Sequence, residues 1–236
     1  MSYDAAIKRW LPVRSQQVRK DGLAYAYAEP FRADPSDASY TATRIHVVSL
    51  PDGADRVIES GPPREVLAYQ AEGIYVTAPR FGSEGATGLW RLDPESGAAT
   101  QLPNGTPFRT VDRGIAWTDH LTITPTRLDR IDVATGAAKN WVDTQSEGWI
   151  WFVGLDAGGH PLVNVVRNDD KSERLYVYTA PQTRTLLAQA GFHQPGTIDA
   201  HGTWLAGEDG VYLVTKGPKL EKVSNATGGN VAGPCA

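Results

Sequence analysis

Cysteine is nearly absent from this sequence, since Cys235 is the single cysteine and stands one residue from the end. A lone cysteine forms no disulfide within the chain, so no disulfide framework is expected. Long hydrophobic runs are missing too, and none approaches the roughly 20 apolar residues that a membrane-spanning helix requires. These absences exclude a disulfide-rich scaffold and predict no membrane span.

A large excess of charge of either sign is also lacking. The formal net charge is -4 over 236 residues, which argues against a general binder of nucleic acid or anionic membranes. A basic run without acids, from Lys8 to Lys20, is predicted to be a solvated surface. The first thirty or so residues lack a signal-peptide core. An exported domain without its leader and a cytosolic protein would both have these features, so the compartment stays open.

Hairpin patterns are abundant. A short β-rich run, a cluster of Pro, Asp, Gly and Thr, and a second β-rich run form the pattern of a β-hairpin. Five copies are visible, at 43–57, 87–102, 126–141, 173–187 and 209–223. Gly53, Gly97 and Gly136 recur in the turns because a tight turn places one residue at positive φ, where a side chain is unfavourable.

A second repeat alternates with the first. It has an acid shortly before a glycine and then an apolar strand, and its glycines, about 45 residues apart, are Gly22, Gly73, Gly114, Gly159 and Gly202. Two hairpins per unit make four strands, and a repeated unit of this size is typical of a β-propeller. The sequence therefore predicts an all-β fold: a single five-bladed β-propeller domain with four antiparallel strands per blade. The blades are placed at approximately 15–60, 65–102, 108–143, 148–189 and 196–224, with 1–14 as a closing segment and 225–236 as a tail.

Burial explains why such units would form a ring. A lone twisted sheet leaves both faces exposed, whereas stacking each blade between two neighbours covers both. Middle strands such as "LVNVV" and "WIWFV" are apolar nearly throughout, as this packing requires. Two alternatives stay open at this point, a β-sandwich made of several hairpins and a larger propeller cut short.

Two stretches resemble a known class of propeller. "VRKDGLAYAYAE" resembles the S-P-D-G-x-x-(I/L)-A-Y element of Tol-type and related WD-like bacterial propellers, and "GLWRLDPESGAATQL" is similar to their half-blade of strand, turn and strand. Arg19 and Lys20 stand where that element has Ser and Pro. The resemblance implies the fold and an extracytoplasmic bacterial setting, and it implies no active site.

The candidate site lies in the loops that join the second and third strands of each blade. In propellers these loops and the blade connections share one face, which usually binds ligands. The predicted ligand-binding residues are Arg80, Glu84, Asp119, His120, Arg167, Asn168, Asp169 and Asp170. With Phe81, Trp149 and Phe192 they would form a polar pocket with aromatic walls. The alternative is that these loops are polar because they are solvated.

The sequence predicts no catalytic residue, no metal site and no cofactor. The acids of the second repeat, Asp21, Glu72, Asp112, Asp156 and Asp199, have the composition of turns, where Asp caps its own backbone. The five histidines are scattered without ligand spacing. The predicted innermost strands, "RSQQV", "EVLAY", "FRTV", "WIWFV" and "GTID", offer Glu65 and Asp199, a poor set for a glycosidase.

Two functions follow. The first is a non-catalytic binding or interaction module that presents its loop face to a protein, peptide or glycan. The alternative is a propeller-type hydrolase or lyase that acts on a glycan or lactone through Asp119, His120 and Asp169.

Overall fold

The protein is described from a computed structural model of the whole chain. The described residues are 2–4, 9–34, 42–78, 88–102, 108–119, 124–192, 196–198, 201–215 and 217–227, with side chains described from residue 11 onward. In this part of the chain no helix is long and apolar enough to cross a membrane.

The described residues form an all-β structure with one short 3-10 helix, Ser15–Gln17. β1 (Ser2–Asp4) and β2 (Arg9–Leu11) pair with each other as a two-stranded sheet. Five larger sheets follow, each with its strands in chain order. Sheet 1 has β3 (Ala24–Phe31), β4 (Ala42–Ser49) and β5 (Asp55–Gly61); sheet 2 has β6 (Glu65–Gln70), β7 (Gly73–Thr77), β8 (Leu89–Leu92) and β9 (Ala99–Gln101). Sheet 3 has β10 (Thr110–Asp112), β11 (Ile115–Thr118), β12 (Arg127–Asp132) and β13 (Ala138–Asp143); sheet 4 has β14 (Gly148–Leu155), β15 (Pro161–Arg167), β16 (Glu173–Ala180) and β17 (Thr183–Ala188). Sheet 5 has β18 (Thr197–Ile198), β19 (Gly202–Gly207), β20 (Gly210–Thr215) and β21 (Leu220–Ser224).

Sheet 1 departs from the predicted four strands, because "RSQQV" at 14–18 is not the innermost strand that the sequence predicted. The stretch turns locally, since the side chain of Gln17 accepts a hydrogen bond from the backbone N–H of Arg14 at 2.8 Å. The Gln17 amide also donates to the carbonyl of Val66 at 2.9 Å, which anchors the turn on β6. Among the described residues of this stretch, Val18 alone makes a β-bridge, and its partner is Tyr25. Polar side chains that satisfy nearby backbone groups compete with strand formation, and here they prevail.

The chain divides into two compact units. The first unit, Pro12–Leu121 and Ile131–Ala137, contains sheets 1 and 2 and β10 and β11. Its core has two layers, one on each face of sheet 2. Residues of sheet 1, among them Ala26 and Ile45, pack with Val76 on one face, and Tyr75 packs with Val111 on the other. A two-sheet sandwich buries one face of each sheet. Because both faces of sheet 2 are covered, the structure disfavours the alternative of a β-sandwich made of several hairpins.

The second unit contains Met1–Leu11, Thr122–Arg130 and Ala138–Ala236. Its core joins sheets 4 and 5. Leu162 and Val177 of sheet 4 pack with Leu205 and Val214 of sheet 5, and Phe192 belongs to the same cluster. Both β15 and the middle of β16 are buried along consecutive residues, as expected of strands covered on both faces.

The hairpin turns follow the predicted chemistry. Gly53, Gly97 and Gly136 have φ values of 71°, 72° and 72°, in the left-handed region that glycine tolerates best. In the β8–β9 turn, Asp93 Oδ1 accepts the N–H of Ser96 at 2.7 Å. Asp132 Oδ1 accepts the N–H of Thr135 at 2.8 Å in the β12–β13 turn. Each aspartate therefore closes its own hairpin.

Candidate functional site

The structure brings together part of the predicted ligand-binding set. Arg167 ends β15, and Asn168, Asp169 and Asp170 follow it in the turn to β16. Residues 167–172 are called the charged turn below. Asp119 follows β11 in the first unit. Arg80, Glu84 and His120 lie outside the described residues.

Backbone and side-chain hydrogen bonds hold the charged turn in one conformation. The N–H of Arg167 donates to the carbonyl of Ser172 at 3.0 Å. Asp170 Oδ1 accepts the N–H of Ser172 at 2.9 Å. Lys171 takes a left-handed φ of 58°, and its ammonium donates to the carbonyl of Asn168 at 3.0 Å. The turn is therefore fixed by its own polar groups.

The charges of this turn are paired but solvent-facing. Arg167 Nε donates to Asp169 Oδ1 at 2.9 Å, and Arg167 Nη2 donates to the other carboxylate oxygen. The side chains of Asp169 and Asp170 are 59% and 55% exposed. The Arg167 guanidinium, helped by the N–H of Asp170, holds the pKa of Asp169 well below its usual range. Hydrogen bonds from Ser172 lower the pKa of Asp170. Both carboxylates are therefore ionised at neutral pH.

Two residues that the sequence analysis did not select support the charged turn. The carbonyl of Glu147 accepts the N–H of Asn168 at 2.8 Å, and Arg184 Nη2 lies 3.0 and 2.9 Å from the two Glu147 carboxylate oxygens. Arg184 also donates to the hydroxyl of Tyr178 at 3.2 Å, and its guanidinium lies 4.3 Å from the ring centroid of Tyr176. Burial alone would lower the pKa of Arg184, but the hydrogen bonds to Tyr178 and Glu147 raise it. Arg184 thus binds the side chain of Glu147, whose backbone carbonyl accepts a hydrogen bond from the charged turn.

Asp119 has a different environment from the charged turn. Its side chain is fully buried, and Arg109 Nε donates to Asp119 Oδ2 at 2.8 Å. Arg109 Nη2 donates to the same oxygen. The Asp119 carboxylate is therefore buried and already paired, unlike the exposed carboxylates of the charged turn.

Of the three aromatic residues proposed as pocket walls, Phe192 has a different position from the predicted one. Phe192 is 2% exposed, and its ring makes an edge-on contact with Tyr212, with 5.3 Å between the centroids. It is therefore a core residue. Trp149 is half-buried, and Phe81 lies outside the described residues.

The four described acids of the second repeat lie in or beside their own turns. Asp21 accepts the N–H of Leu23 at 2.9 Å, and Asp156 accepts the N–H of His160 at 2.8 Å. Glu72 accepts the hydroxyl of Tyr75 at 2.9 Å, and Asp112 pairs with Arg113. Asp199 is outside the described residues. Among the residues that the structure describes, no three His, Cys, Asp or Glu side chains are grouped so as to hold a metal ion.

Comparison with known structures identifies the class of fold. The chain resembles Tol-type β-propellers in fold, and it is also similar to the β-propeller domain of a protease. No protein-family model matches it, and no curated protein matches it by sequence.

Three solved structures represent this similarity. A prolyl endopeptidase aligns over 94% of this chain and 37% of its own, at 17% identity and a TM-score of 0.62. TolB from Acinetobacter baumannii aligns over 90% and 54%, at 12% identity and a TM-score of 0.54. The β-propeller domain of the trilobed protease from Pyrococcus furiosus aligns over 89% and 70%, at 14% identity and a TM-score of 0.56. The chain thus spans 37% of the endopeptidase and 54% of TolB, and the similarity concerns the fold alone.

Proposed function

We propose that the chain is a five-bladed β-propeller module whose blades are sheets 1 to 5. The support is the number of sheets in the described residues, the two covered faces of sheet 2 and the propeller folds of the similar structures. Residues 1–14 as the closing segment and 225–236 as a tail remain part of this proposal. Sheet 1 serves as the blade with three full strands.

The module binds a ligand without catalysing a reaction, and the charged turn is its main contact. One observation carries this proposal: the ionised side chains of the turn are exposed to solvent, yet hydrogen bonds within the turn already fix them in place. Groups that are ordered before binding lose little conformational entropy when a ligand arrives. Arg80, Glu84 and His120, which lie outside the described residues, remain sequence predictions for ligand contacts.

A peptide is the preferred class of ligand, ahead of a folded protein or a glycan. The similar structures include a prolyl endopeptidase and the β-propeller domain of a protease, and the names of both proteins refer to the cleavage of peptide chains. The Arg167 guanidinium can pair with the carboxylates of a peptide, and the Asp169 carboxylate can pair with its ammonium and guanidinium groups.

The test is a screen of a peptide library, with a glycan array in parallel, followed by titration of the best ligand. We expect Arg167→Ala and Asp169→Ala to weaken binding at least about tenfold, because each removes one charged contact. Glu95→Ala is the matched control, since Glu95 is an exposed acid of the β8–β9 turn. Unchanged binding in both charged-turn variants, or an equal loss in the control, would reject this surface. Binding of glycans alone would reject the peptide class.

A further inference from the structure

His46 lies in the central strand of sheet 1, and both of its ring nitrogens face carboxylates. Nδ1 is 2.8 Å from Asp55 Oδ1, which belongs to β5. Nε2 is 3.3 Å from Glu29 Oε2, which belongs to β3. The His46 side chain is 11% exposed. One imidazole therefore spans all three strands of the sheet.

The neighbours of His46 fix both carboxylates as hydrogen-bond acceptors. The ring of Tyr27 stacks on His46 with 4.5 Å between centroids and 15° between planes, and its hydroxyl donates to Asp55 Oδ2 at 3.0 Å. Arg44 donates to Glu29 Oε2 at 3.1 Å. Within the described residues, Tyr27, Glu29, Arg44 and Asp55 are thus the charged or titratable side chains bonded to or stacked on His46 and its two carboxylates.

Glu29 and Tyr27 have shifted pKa values. The hydrogen bond from Arg44, followed by that from His46, lowers the pKa of Glu29. Burial and the hydrogen bond to Asp55 raise the pKa of Tyr27 to about 12. Glu29 is therefore a carboxylate and Tyr27 a neutral phenol over the physiological range, so neither supplies a proton to the imidazole.

The chemistry of imidazole decides how this arrangement is satisfied. A neutral ring has one N–H and one lone pair, whereas the charged ring has an N–H at both nitrogens. The neutral ring would turn its lone pair toward a carboxylate oxygen, which is repulsive. The charged ring donates to both carboxylates, and hydrogen bonds between charged partners are roughly twice as strong as neutral ones.

We propose that His46 is a proton-dependent clamp that ties β3 and β5 to β4. With a proton on both nitrogens the ring closes the clamp, and loss of one proton opens it. The outer strand β5 is the element that responds, because Asp55, Arg56 and Val57 are exposed and contribute little burial to hold it. The consequence is a sheet edge whose local stability depends on pH.

Hydrogen exchange tests this proposal directly. Exchange of peptides from 42–61 is measured at about pH 5.5 and about pH 8.5, values that bracket the usual titration of histidine, and corrected for the intrinsic rates. We expect protection to fall about fivefold at the higher pH, the difference between a charged and a neutral hydrogen bond. In His46→Gln the protection should be the same at both values. An equal pH effect in His46→Gln would overturn the proposal.

A second histidine provides the matched control. Nδ1 of His160 is 3.0 Å from Asp156 Oδ2 in the β14–β15 turn, so one ring nitrogen of this residue faces a carboxylate. His160→Gln should keep the pH effect on 42–61, and its loss there would contradict the assignment to His46. Nitrogen NMR of the unsubstituted protein adds a readout that does not depend on any variant folding. A closed clamp requires a proton on both His46 ring nitrogens at the lower pH, and a single protonated nitrogen there would overturn the proposal.

Discussion

Arg109 and Asp119 lie at the same end of one hairpin and form a buried ion pair, with Arg109 Nε 2.8 Å from Asp119 Oδ2. The Asp119 side chain is fully buried, and that of Arg109 is 19% exposed. Breaking such a pair leaves one charge without its partner in a place where water reaches it poorly. We expect Asp119→Ala to lower the free energy of unfolding by about 3 kcal/mol, measured by urea denaturation. Asp169→Ala, which breaks the exposed pair of the charged turn, should leave the midpoint nearly unchanged. Equal effects of the two variants would show that Asp119 is not a structural residue.

Two glycines with nearly the same φ separate backbone strain from steric overlap. Gly53 and Gly97 have φ values of 71° and 72°. A Cβ at Gly53 would meet no described atom within 4 Å, whereas one at Gly97 would overlap the carbonyl oxygen of Ile58. We expect Gly53→Ala to cost about 1 kcal/mol for its left-handed backbone. Gly97→Ala should cost about 3 kcal/mol, because overlap adds to the strain. Thermal unfolding monitored by circular dichroism measures both, and similar losses would contradict the close approach at Gly97.

The planar guanidinium of Arg184 makes contacts of a kind that the compact ammonium of a lysine does not reproduce. The guanidinium donates to Glu147 and Tyr178 and lies over the ring of Tyr176. Its side chain is 28% exposed, which reduces the strength of these charge interactions. We expect Arg184→Ala to cost about 1.5 kcal/mol and Arg184→Lys about half of that. Chemical denaturation of the two variants gives the comparison, and full retention of stability in Arg184→Lys would show that charge alone matters.

Tyr75 should give the protein a measurable dependence on alkaline pH. Burial, together with the hydrogen bond to Glu72, raises the pKa of Tyr75 from its ordinary value of 10.0 to about 12. A raised pKa in the folded chain means that the neutral phenol stabilises the fold. This contribution is complete below the ordinary tyrosine pKa and is lost as pH rises through about 12. The stability advantage of the unsubstituted protein over Tyr75→Phe should therefore shrink between these values, as followed by fluorescence-detected unfolding. A constant difference would contradict the raised pKa.

Local turn chemistry made much of the fold predictable from sequence. The turn glycines and the aspartates beside them act within a few residues, so Gly97 and Asp132 adopt the expected geometry without help from distant parts of the chain. Local bonding also explains why the prediction of an innermost strand at 14–18 was wrong. There Gln17 bonds locally to the backbone of Arg14, and such a bond is not encoded by alternating hydrophobicity.

The candidate site was less predictable, since its contacts depend on register and on distant residues. The hairpin around Gly114 pairs Thr110 with Trp117, and extending that register outward pairs Arg109 with Thr118. Because side chains alternate between the two faces of a strand, the register alone does not predict the contact of Arg109 with Asp119. The contact of Glu147 with Arg184 joins residues that no repeat or motif relates. It follows from packing of the folded chain and could not be read from local sequence.

The turns at Asp93 and Asp132 also bear on how such a chain could arise. Each aspartate is bonded to atoms only three residues away, the N–H and hydroxyl of Ser96 or Thr135. A gene duplication that copied either stretch would deliver a finished hairpin, complete with its closure, to any new location in the chain. The copied strands would still need neighbouring sheets to cover their faces, since a two-stranded hairpin alone is marginally stable at best.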